Sequence, residues 1–266
     1  MCKHSAEFCD FDFIGPNASC STPTLFDLPS LIAQLMLEKK EEQKWLPLEA
    51  NPEVWNKIIH KLGVDSAWNY VDVLGFDPEL LSMIPRPTAA IIFLFPLTEN
   101  YEKFKEEEEA RLTKHEQNIS PDVIFFKQTI SNACGMIALL HSLANNDEGM
   151  TGPGLITDII EKAKSMSPDE RAELLEGCTE LADIHRAAAY DGQTQPPSLG
   201  EEVDLHFICF VEVDQHLYEL DGRKPFPINH GRSTDLIENS AKVMRHYIER
   251  DPEQSNYSAI ALAKAD

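Results

Sequence analysis

Residues 203–222 read VDLHFICFVEVDQHLYELDG, two apolar runs joined by the polar pair Asp214-Gln215. Runs of this length that are rich in Val, Ile, Phe and Tyr predict β-strands, and a two-residue connection predicts a hairpin. In such a hairpin Val213 lies opposite His216, which fixes the register of the two strands. Gln215 is an unusual turn residue, because this position commonly needs a positive φ that glycine adopts more easily. The stretch therefore predicts an antiparallel pair of strands.

Two more strands are predicted upstream, in residues 68–76 and 89–97. The second, AAIIFLFPL, is apolar on both faces, which is typical of a strand in the centre of a sheet. A short apolar run, Val123 to Phe126, is interpreted as a further strand leading toward residue 134. Strands and helices follow one another irregularly, and this order favours an α+β fold over a doubly wound sheet.

Helices are predicted from capping residues. Asn51 and Gly63 bracket the first, with Pro52 at its first position. A charged helix covers about 100–114, and its run Glu106 to Glu109 is interpreted as a solvated face. Ser167-Pro168-Asp169-Glu170 predicts a capping box that starts a helix running toward Ala189.

The 266-residue chain carries a formal net charge of −22 and has a pI of about 4.7. Such a charge repels phosphate backbones and anionic lipid, so it argues against nucleic acid or a membrane as partner. The chain contains no apolar stretch of roughly 18–20 residues and no apolar signal region near Met1. We therefore expect a cytoplasmic protein with reduced thiols. Cys2, His4 and Cys9 lack the usual spacing of metal ligands, and we expect neither a metal nor another cofactor.

Residues 127–142, KQTISNACGMIALLHS, place Cys134 at the start of an apolar helix. A helix N-terminus stabilises a thiolate through its dipole and its free N–H groups, and the thiolate is the nucleophilic form of cysteine. Gly135 is expected to keep the approach to the sulfur open. A buried, unreactive cysteine is the alternative, and a base near the thiol would decide between the two.

His206 is the candidate base. It lies in the first strand of the hairpin, and by the predicted register Asp221 is one diagonal step away on the same side. His141 lies two turns along the helix from Cys134, too far to take its proton. The remaining histidines lie in charged or turn-like stretches and are expected to be exposed: His4, His60, His115, His185, His216, His230 and His246.

Two other features concern acyl transfer. Gln128, on the loop leading to Cys134, has an amide that could donate to a developing oxyanion, together with the backbone N–H of Cys134. Residues 190–204 form a polar, Gly- and Pro-containing connection of a length usual for lids or disordered segments, directly before the strand of His206.

Several motifs resemble the small, L-type ubiquitin carboxyl-terminal hydrolases, a family of papain-like cysteine peptidases. They are KQTISNACG with Cys134, VDLHF with His206 and YELDGRKPFPINHG with Asp221. KWLPLEANPEVW, FDPELLSMIPRP and DGQTQPPS are similar to the third isozyme group of that family. The likeness covers residues 43–266 and leaves residues 1–42 as an N-terminal extension, a tail followed by an amphipathic helix over about 25–43.

The resemblance implies a papain-like α+β fold with a mainly antiparallel sheet between helical layers. It implies Cys134 as nucleophile, His206 as general base and acid, Asp221 as orienting carboxylate and Gln128 as oxyanion donor. It also implies that residues 190–204 form the loop under which the substrate tail threads. The implied substrate-binding residues are Pro47, Leu48, Glu49, Ala50, Asn51, Pro52, Tyr190, Asp191, Gly192, Gln193, Thr194 and Gln195.

The implied reaction is cleavage after the C-terminal glycine of ubiquitin, releasing small adducts and short peptides through a thioester. Ubiquitin and the neddylation modifier are the implied partners, and we expect a monomer. Two alternatives stay open: a ubiquitin-binding module with little turnover, and a papain-like peptidase that acts on ordinary peptides.

Overall fold

The computed structural model describes residues 43–265, apart from residues 147, 196, 199, 200 and 202 and the side chain of residue 148. The expected N-terminal extension over residues 1–42, its amphipathic helix and the group formed by Cys2, His4 and Cys9 lie outside the described residues. Within the described part of the chain, no helix is long and apolar enough to cross a membrane.

A six-stranded antiparallel sheet forms the centre of the described residues, with the strand order β1-β6-β2-β3-β4-β5. Its strands are β1 (Trp68–Asp72), β2 (Thr88–Pro96), β3 (Leu205–Val213), β4 (His216–Leu220), β5 (Ile228–Arg232) and β6 (Ser258–Lys264). The two strands predicted at residues 68–76 and 89–97 are β1 and β2, and β2 lies between β6 and β3. The prediction of an α+β fold is confirmed.

Helices cover both faces of the sheet. They are α1 (Pro52–Leu62), α2 (Pro78–Leu81), α3 (Glu99–Lys114), α4 (Cys134–Ala144), α5 (Leu155–Ala163), α6 (Pro168–Glu176), α7 (Thr179–Ala189) and α8 (Leu236–Arg250), with a 3-10 turn at Glu148–Met150. Residues of α1, α4 and α5 form one core with Ile92 of β2, and residues of α8 form another with Ile91 and Phe93. Because neighbouring side chains of a strand point to opposite faces, the sheet separates the two cores.

The hairpin has the predicted register, since Val213 pairs with His216 and Cys209 with Leu220. Both turn residues have positive φ, 51° at Asp214 and 61° at Gln215. Gln215 therefore adopts the left-handed conformation that made it an unusual residue at this turn.

The ends of α1 follow the prediction: the Asn51 side chain accepts a hydrogen bond from the Glu53 N–H, and Gly63 ends the helix with a φ of 106°. The capping box is also present, because Ser167 and Glu170 each bond the other's backbone N–H. The single helix predicted toward Ala189 is wrong, however, since α6 ends at Glu176 and α7 begins at Thr179.

The strand predicted at Val123 to Phe126 is also wrong: the segment is buried but has no regular secondary structure. Side chains bind its backbone in place of a neighbouring strand. Asn145 Oδ1 accepts from the Ile124 N–H at 2.8 Å, and His141 Nε2 accepts from the Phe126 N–H at 2.9 Å. Buried backbone N–H and C=O groups need such hydrogen-bond partners wherever no neighbouring strand supplies them.

Candidate active site

Cys134 is the first residue of α4, and its thiol is half-buried. The residues that follow, Gly135 to Ala144, are all buried, so the helix is held firmly in the core. Asn132 turns the chain into the helix with a φ of 60°, a conformation that asparagine tolerates better than most residues. A Cβ on Gly135 would lie 3.1 Å from the Leu48 side chain. The glycine thus makes room for Leu48, where the sequence had suggested open access to the sulfur.

The hairpin brings His206 and Asp221 together. His206 Nε2 lies 2.6 Å from Asp221 Oδ1, and both side chains are buried. The Arg223 N–H donates to the same carboxylate oxygen at 2.9 Å. The imidazole and the Cys134 thiol also shift each other's pKa, so the thiol lies within interaction range of the ring. The described structure therefore places thiol, imidazole and carboxylate in one chain of contacts.

The charges of these groups are set by one another. Burial opposes a charge on His206, but the charge and hydrogen bond of Asp221 raise the His206 pKa to about 9. Burial likewise favours a neutral Cys134 thiol, yet the interaction with His206 lowers the pKa of that thiol below its ordinary value. Asp221 is buried too, and His206 holds the pKa of its carboxyl well below the usual range. The arrangement favours a thiolate, an imidazolium and a carboxylate near neutral pH.

Gln128 lies beside this group. Its backbone N–H donates to Gly222 O at 2.8 Å, and a Cβ on Gly222 would come within 2.9 Å of Gln128 Cβ, so only glycine permits this approach. The Gln128 side-chain NH₂ donates to Ile130 O at 3.2 Å, while Oε1 is buried without a hydrogen-bond partner. An amide NH₂ carries two hydrogens, and the second is available to another acceptor.

A cleft of about 230 Å³ opens at the thiol. Of the expected substrate-binding residues, the following line it: Pro47, Leu48, Glu49, Ala50, Gly192 and Thr194. The sheet contributes Leu94, Leu205 and Phe207. The cleft therefore lies between the segment before α1 and the connection after α7.

The other expected substrate-binding residues lie elsewhere. Asn51 and Pro52 form the N-terminus of α1. Tyr190 and Asp191 line a groove along α1, and Gln195 lines a cavity beside Trp45. Gln193 uses its backbone N–H to bind Glu49 Oε2 at 2.7 Å. These six residues therefore do not line the cleft at Cys134.

The connection over residues 190–204 is attached at both ends. Near α7, Lys57 pairs with Asp191 at 2.6 Å, next to the bond between Gln193 and Glu49. Near β3, the Leu97 N–H donates to Asp204 O at 2.9 Å. Asn132, two residues before Cys134, donates to Glu201 O at 3.5 Å. These contacts hold described parts of the connection against α1, against the end of β2 and against the segment before Cys134.

Sequence reasoning missed a group of buried charged residues near Asp221. Lys224 is 1% exposed, and its Nζ lies 2.8 Å from Glu108 Oε2 and 2.6 Å from Glu219 Oε1. The interpretation of Glu106 to Glu109 as a solvated face is therefore wrong for Glu108, whose charge is balanced by Lys224. No sequence signal identifies this pairing, because Lys224 follows a turn and Glu108 lies in a strongly charged run.

The prediction that His185 is exposed is also wrong: it is 1% exposed, and its Nε2 lies 2.6 Å from Leu46 O. Burial lowers the His185 pKa to about 4, which favours the neutral imidazole. A sequence signal does exist here. Leu181, Ile184 and Ala188 have the helical spacing of a buried stripe that also includes His185.

Comparisons with known proteins agree with this geometry. Residues 45–249 match the family described as "Ubiquitin carboxyl-terminal hydrolase, family 1". A Drosophila melanogaster ubiquitin carboxyl-terminal hydrolase is 44% identical over 223 residues, covering 83% of this chain and 98% of that protein. The human ubiquitin carboxyl-terminal hydrolase isozyme L1 is 42% identical over 223 residues, covering 82% of this chain and 98% of the relative.

A similar fold occurs in the crystal structure of the Trichinella spiralis UCH37 catalytic domain bound to ubiquitin vinyl methyl ester. The TM-score is 0.66 at 23% identity, and the match covers 84% of this chain and 96% of that one.

Proposed function

The chain belongs to family 1 of the ubiquitin carboxyl-terminal hydrolases and is a cysteine-type deubiquitinating hydrolase, and we propose that Cys134 is its nucleophile, His206 its general base and acid, and Asp221 the carboxylate that orients His206. The observation that carries this assignment is the 2.6 Å contact between His206 and Asp221, with the Cys134 thiol on the same imidazole.

In the proposed mechanism the Cys134 thiolate attacks the carbonyl carbon of the last glycine of ubiquitin. The carbonyl oxygen takes up the negative charge, and the backbone N–H of Cys134 and the Gln128 amide donate to it. As the tetrahedral intermediate collapses, the bond to the leaving amine breaks and His206 donates its proton to that amine. A thioester between ubiquitin and Cys134 remains.

Hydrolysis of the thioester uses the same groups in reverse order. Neutral His206 takes a proton from water, and the resulting hydroxide attacks the thioester carbonyl. The carbon–sulfur bond breaks, ubiquitin leaves with a free carboxylate, and Cys134 returns to the thiolate paired with imidazolium. Asp221 holds the imidazole in place throughout, since its hydrogen bond to Nε2 leaves Nδ1 as the nitrogen that exchanges protons.

We propose that ubiquitin binds with its tail in the cleft at Cys134, between residues 47–50 and the connection after α7. The names of the relatives support ubiquitin as partner, and the net charge of −22 suits a basic protein surface. From the family resemblance we also propose a neddylation modifier as second substrate and a cytoplasmic monomer as the acting form.

The proposal is tested with ubiquitin that carries a fluorogenic amide on its C-terminus, next to a short peptide with the same amide. We expect rapid release from the ubiquitin conjugate and little from the peptide. Tight binding of the conjugate without release would favour a ubiquitin-binding module. Equal release from both would favour a general peptidase.

The pH profile of kcat/KM should be bell-shaped. Raising the pH through about 9 removes the His206 proton that the leaving amine needs, so activity should fall there. Lowering the pH protonates the thiolate, and the acidic limb should lie below the ordinary pKa of cysteine. Because thiol and imidazole titrate together, the limbs report the pair. Fluorogenic assays from about pH 5 to about pH 10 measure both limbs, and an alkaline limb at the ordinary histidine value would contradict the proposed charges.

Gln128→Ala should reduce kcat by about 10²–10³ and leave KM nearly unchanged, because an oxyanion donor acts in the transition state. The hydrogen bond between the Gln128 N–H and Gly222 O is a backbone contact and should survive the substitution. Steady-state kinetics with the fluorogenic conjugate measure the effect. A variant that changes only KM would assign Gln128 to substrate binding instead.

A further inference from the structure

Tyr101 on α3 binds the carboxylate that we propose orients His206. Its hydroxyl donates to Asp221 Oδ2 at 2.8 Å, and both residues are buried. The other carboxylate oxygen, Oδ1, is used by His206 and by the Arg223 N–H. Tyr101 therefore holds the second oxygen of Asp221 and fixes the plane of the carboxylate.

The tyrosine is itself held on two sides. Its backbone N–H donates to Thr98 Oγ1 at 3.0 Å, and Thr98 Oγ1 donates to Asp251 Oδ2 at 2.6 Å. Its ring packs edge-on against Phe95 with 4.8 Å between the ring centroids. Phe95 packs edge-on against the His206 ring in turn, with 5.8 Å between the centroids. With helix start and ring both fixed, the hydroxyl has little freedom to leave Asp221.

Tyr101 donates this bond throughout the working pH range. Burial, and then the negative charge of Asp221, raise the pKa of the Tyr101 hydroxyl far above its ordinary value. Asp221 stays ionised because His206 and then Lys224 hold its pKa down against burial. The contact is thus a hydrogen bond from a neutral hydroxyl to a charged carboxylate, a strong type of hydrogen bond.

Titratable and charged groups from the neighbouring elements surround this pair. Those that act on Asp221 or Tyr101 directly are His206 on β3, His141 on α4, Arg223 and Lys224 after β4, and Tyr247 on α8. Cys134 acts on His206, and Glu108 and Glu219 act on Lys224. Of these, Tyr247 offers a matched comparison. It is a buried tyrosine that donates to a buried carboxylate, Glu219 Oε1, also at 2.8 Å.

We propose that Tyr101 is a positioning residue for the hydrolase reaction: by holding Asp221 Oδ2 it keeps the carboxylate aligned with His206, and so keeps the imidazolium paired with the Cys134 thiolate. The inference rests on the proposed role of Asp221. It assigns Tyr101 no contact with substrate.

Tyr101→Phe keeps the ring and removes the hydroxyl. Without it the carboxylate can rotate away from His206, so kcat should fall about tenfold with KM within about twofold of wild type. The alkaline limb of the pH profile should move to lower pH, because a misaligned Asp221 stabilises the imidazolium less. Tyr247→Phe removes an equivalent buried bond, but that bond is made to Glu219 and not to Asp221. It should therefore change kcat by less than about twofold and shift the two limbs little.

A second background shows whether Tyr101 acts through Asp221. In Asp221→Asn the carboxylate is already lost, so adding Tyr101→Phe should change kcat by less than about twofold. An equal tenfold loss in both backgrounds would overturn the proposal, since a general loss of packing would act in both. Unchanged kcat in the single variant, or the same loss in Tyr247→Phe, would overturn it as well.

A measurement without ubiquitin separates this inference from the proposed function. Iodoacetamide alkylates thiolates. Mass spectrometry of the peptide that contains Cys134 gives the rate of Cys134 alkylation at each pH. In Tyr101→Phe the pH of half-maximal alkylation should rise toward the ordinary cysteine value. If wild type failed to hydrolyse ubiquitin conjugates, the proposed function would fail, while this shift would still test the role of Tyr101. An identical alkylation profile in wild type and variant would overturn that role.

Discussion

Cys134→Ala should abolish hydrolysis of ubiquitin conjugates, with a loss in kcat of about 10⁵-fold or more. The substitution removes the sulfur that forms the thioester, and no other group of the described site can replace it. It removes little of the cleft, because Leu48, Leu94 and Phe207 supply much of the lining. Binding of ubiquitin should therefore stay within a few-fold of wild type, as measured by calorimetry, while steady-state and single-turnover assays show no product.

Cys178→Ala is the matched control. Cys178 is also a half-buried free cysteine at the start of a helix, α7, but it does not line the cleft at Cys134. Its variant should keep full activity. Turnover by Cys134→Ala within about tenfold of wild type would refute the assignment of the nucleophile.

His206→Ala should be almost as damaging, with a loss in kcat of about 10⁴–10⁶-fold, because groups that act as a unit are strongly non-additive. Without the imidazole the Cys134 pKa loses the interaction that lowers it, so less thiolate is present at neutral pH. The leaving amine also loses its proton donor. Steady-state and single-turnover kinetics with the fluorogenic conjugate measure the loss.

His216→Ala on the same hairpin is the control for that variant. His216 lies at the opposite end of β4 from Asp221, where its Nδ1 contacts Asn229 at 3.0 Å. Its substitution should change kcat by less than about twofold. Circular dichroism and thermal unfolding should show folded protein in both variants. A His206→Ala variant that is folded and retains a tenth of the wild-type kcat would show that another base serves Cys134.

The hairpin was the most predictable part of the site. Side chains in a strand alternate with a period of two, so the turn at Asp214 and Gln215 is enough to place His206 and Asp221 on one side. The helix that begins at Cys134 was equally visible, because its apolar run is long and continuous. Local pattern and global structure agree at both positions.

Elements held by distant side chains could not be predicted in the same way. The segment from Val123 to Phe126 has the composition of a strand, but its backbone is bound by His141 of α4 and by Asn145, which follows α4. Tyr101 reaches Asp221 across 120 positions of sequence, and its helix was predicted only as a charged helix. Such contacts depend on how α3 and α4 pack against the sheet. No periodicity in the sequence predicts that packing.

The cleft at Cys134 has a consequence for inhibitor chemistry. At about 230 Å³ it is smaller than the roughly 300–1,000 Å³ of pockets that accept drug-sized molecules. A compound confined to it would be of fragment size, and its non-covalent affinity would be limited accordingly. Potency would have to come from an electrophile that reacts with the sulfur, and selectivity from the few atoms that reach Leu48 and Thr194 on either side.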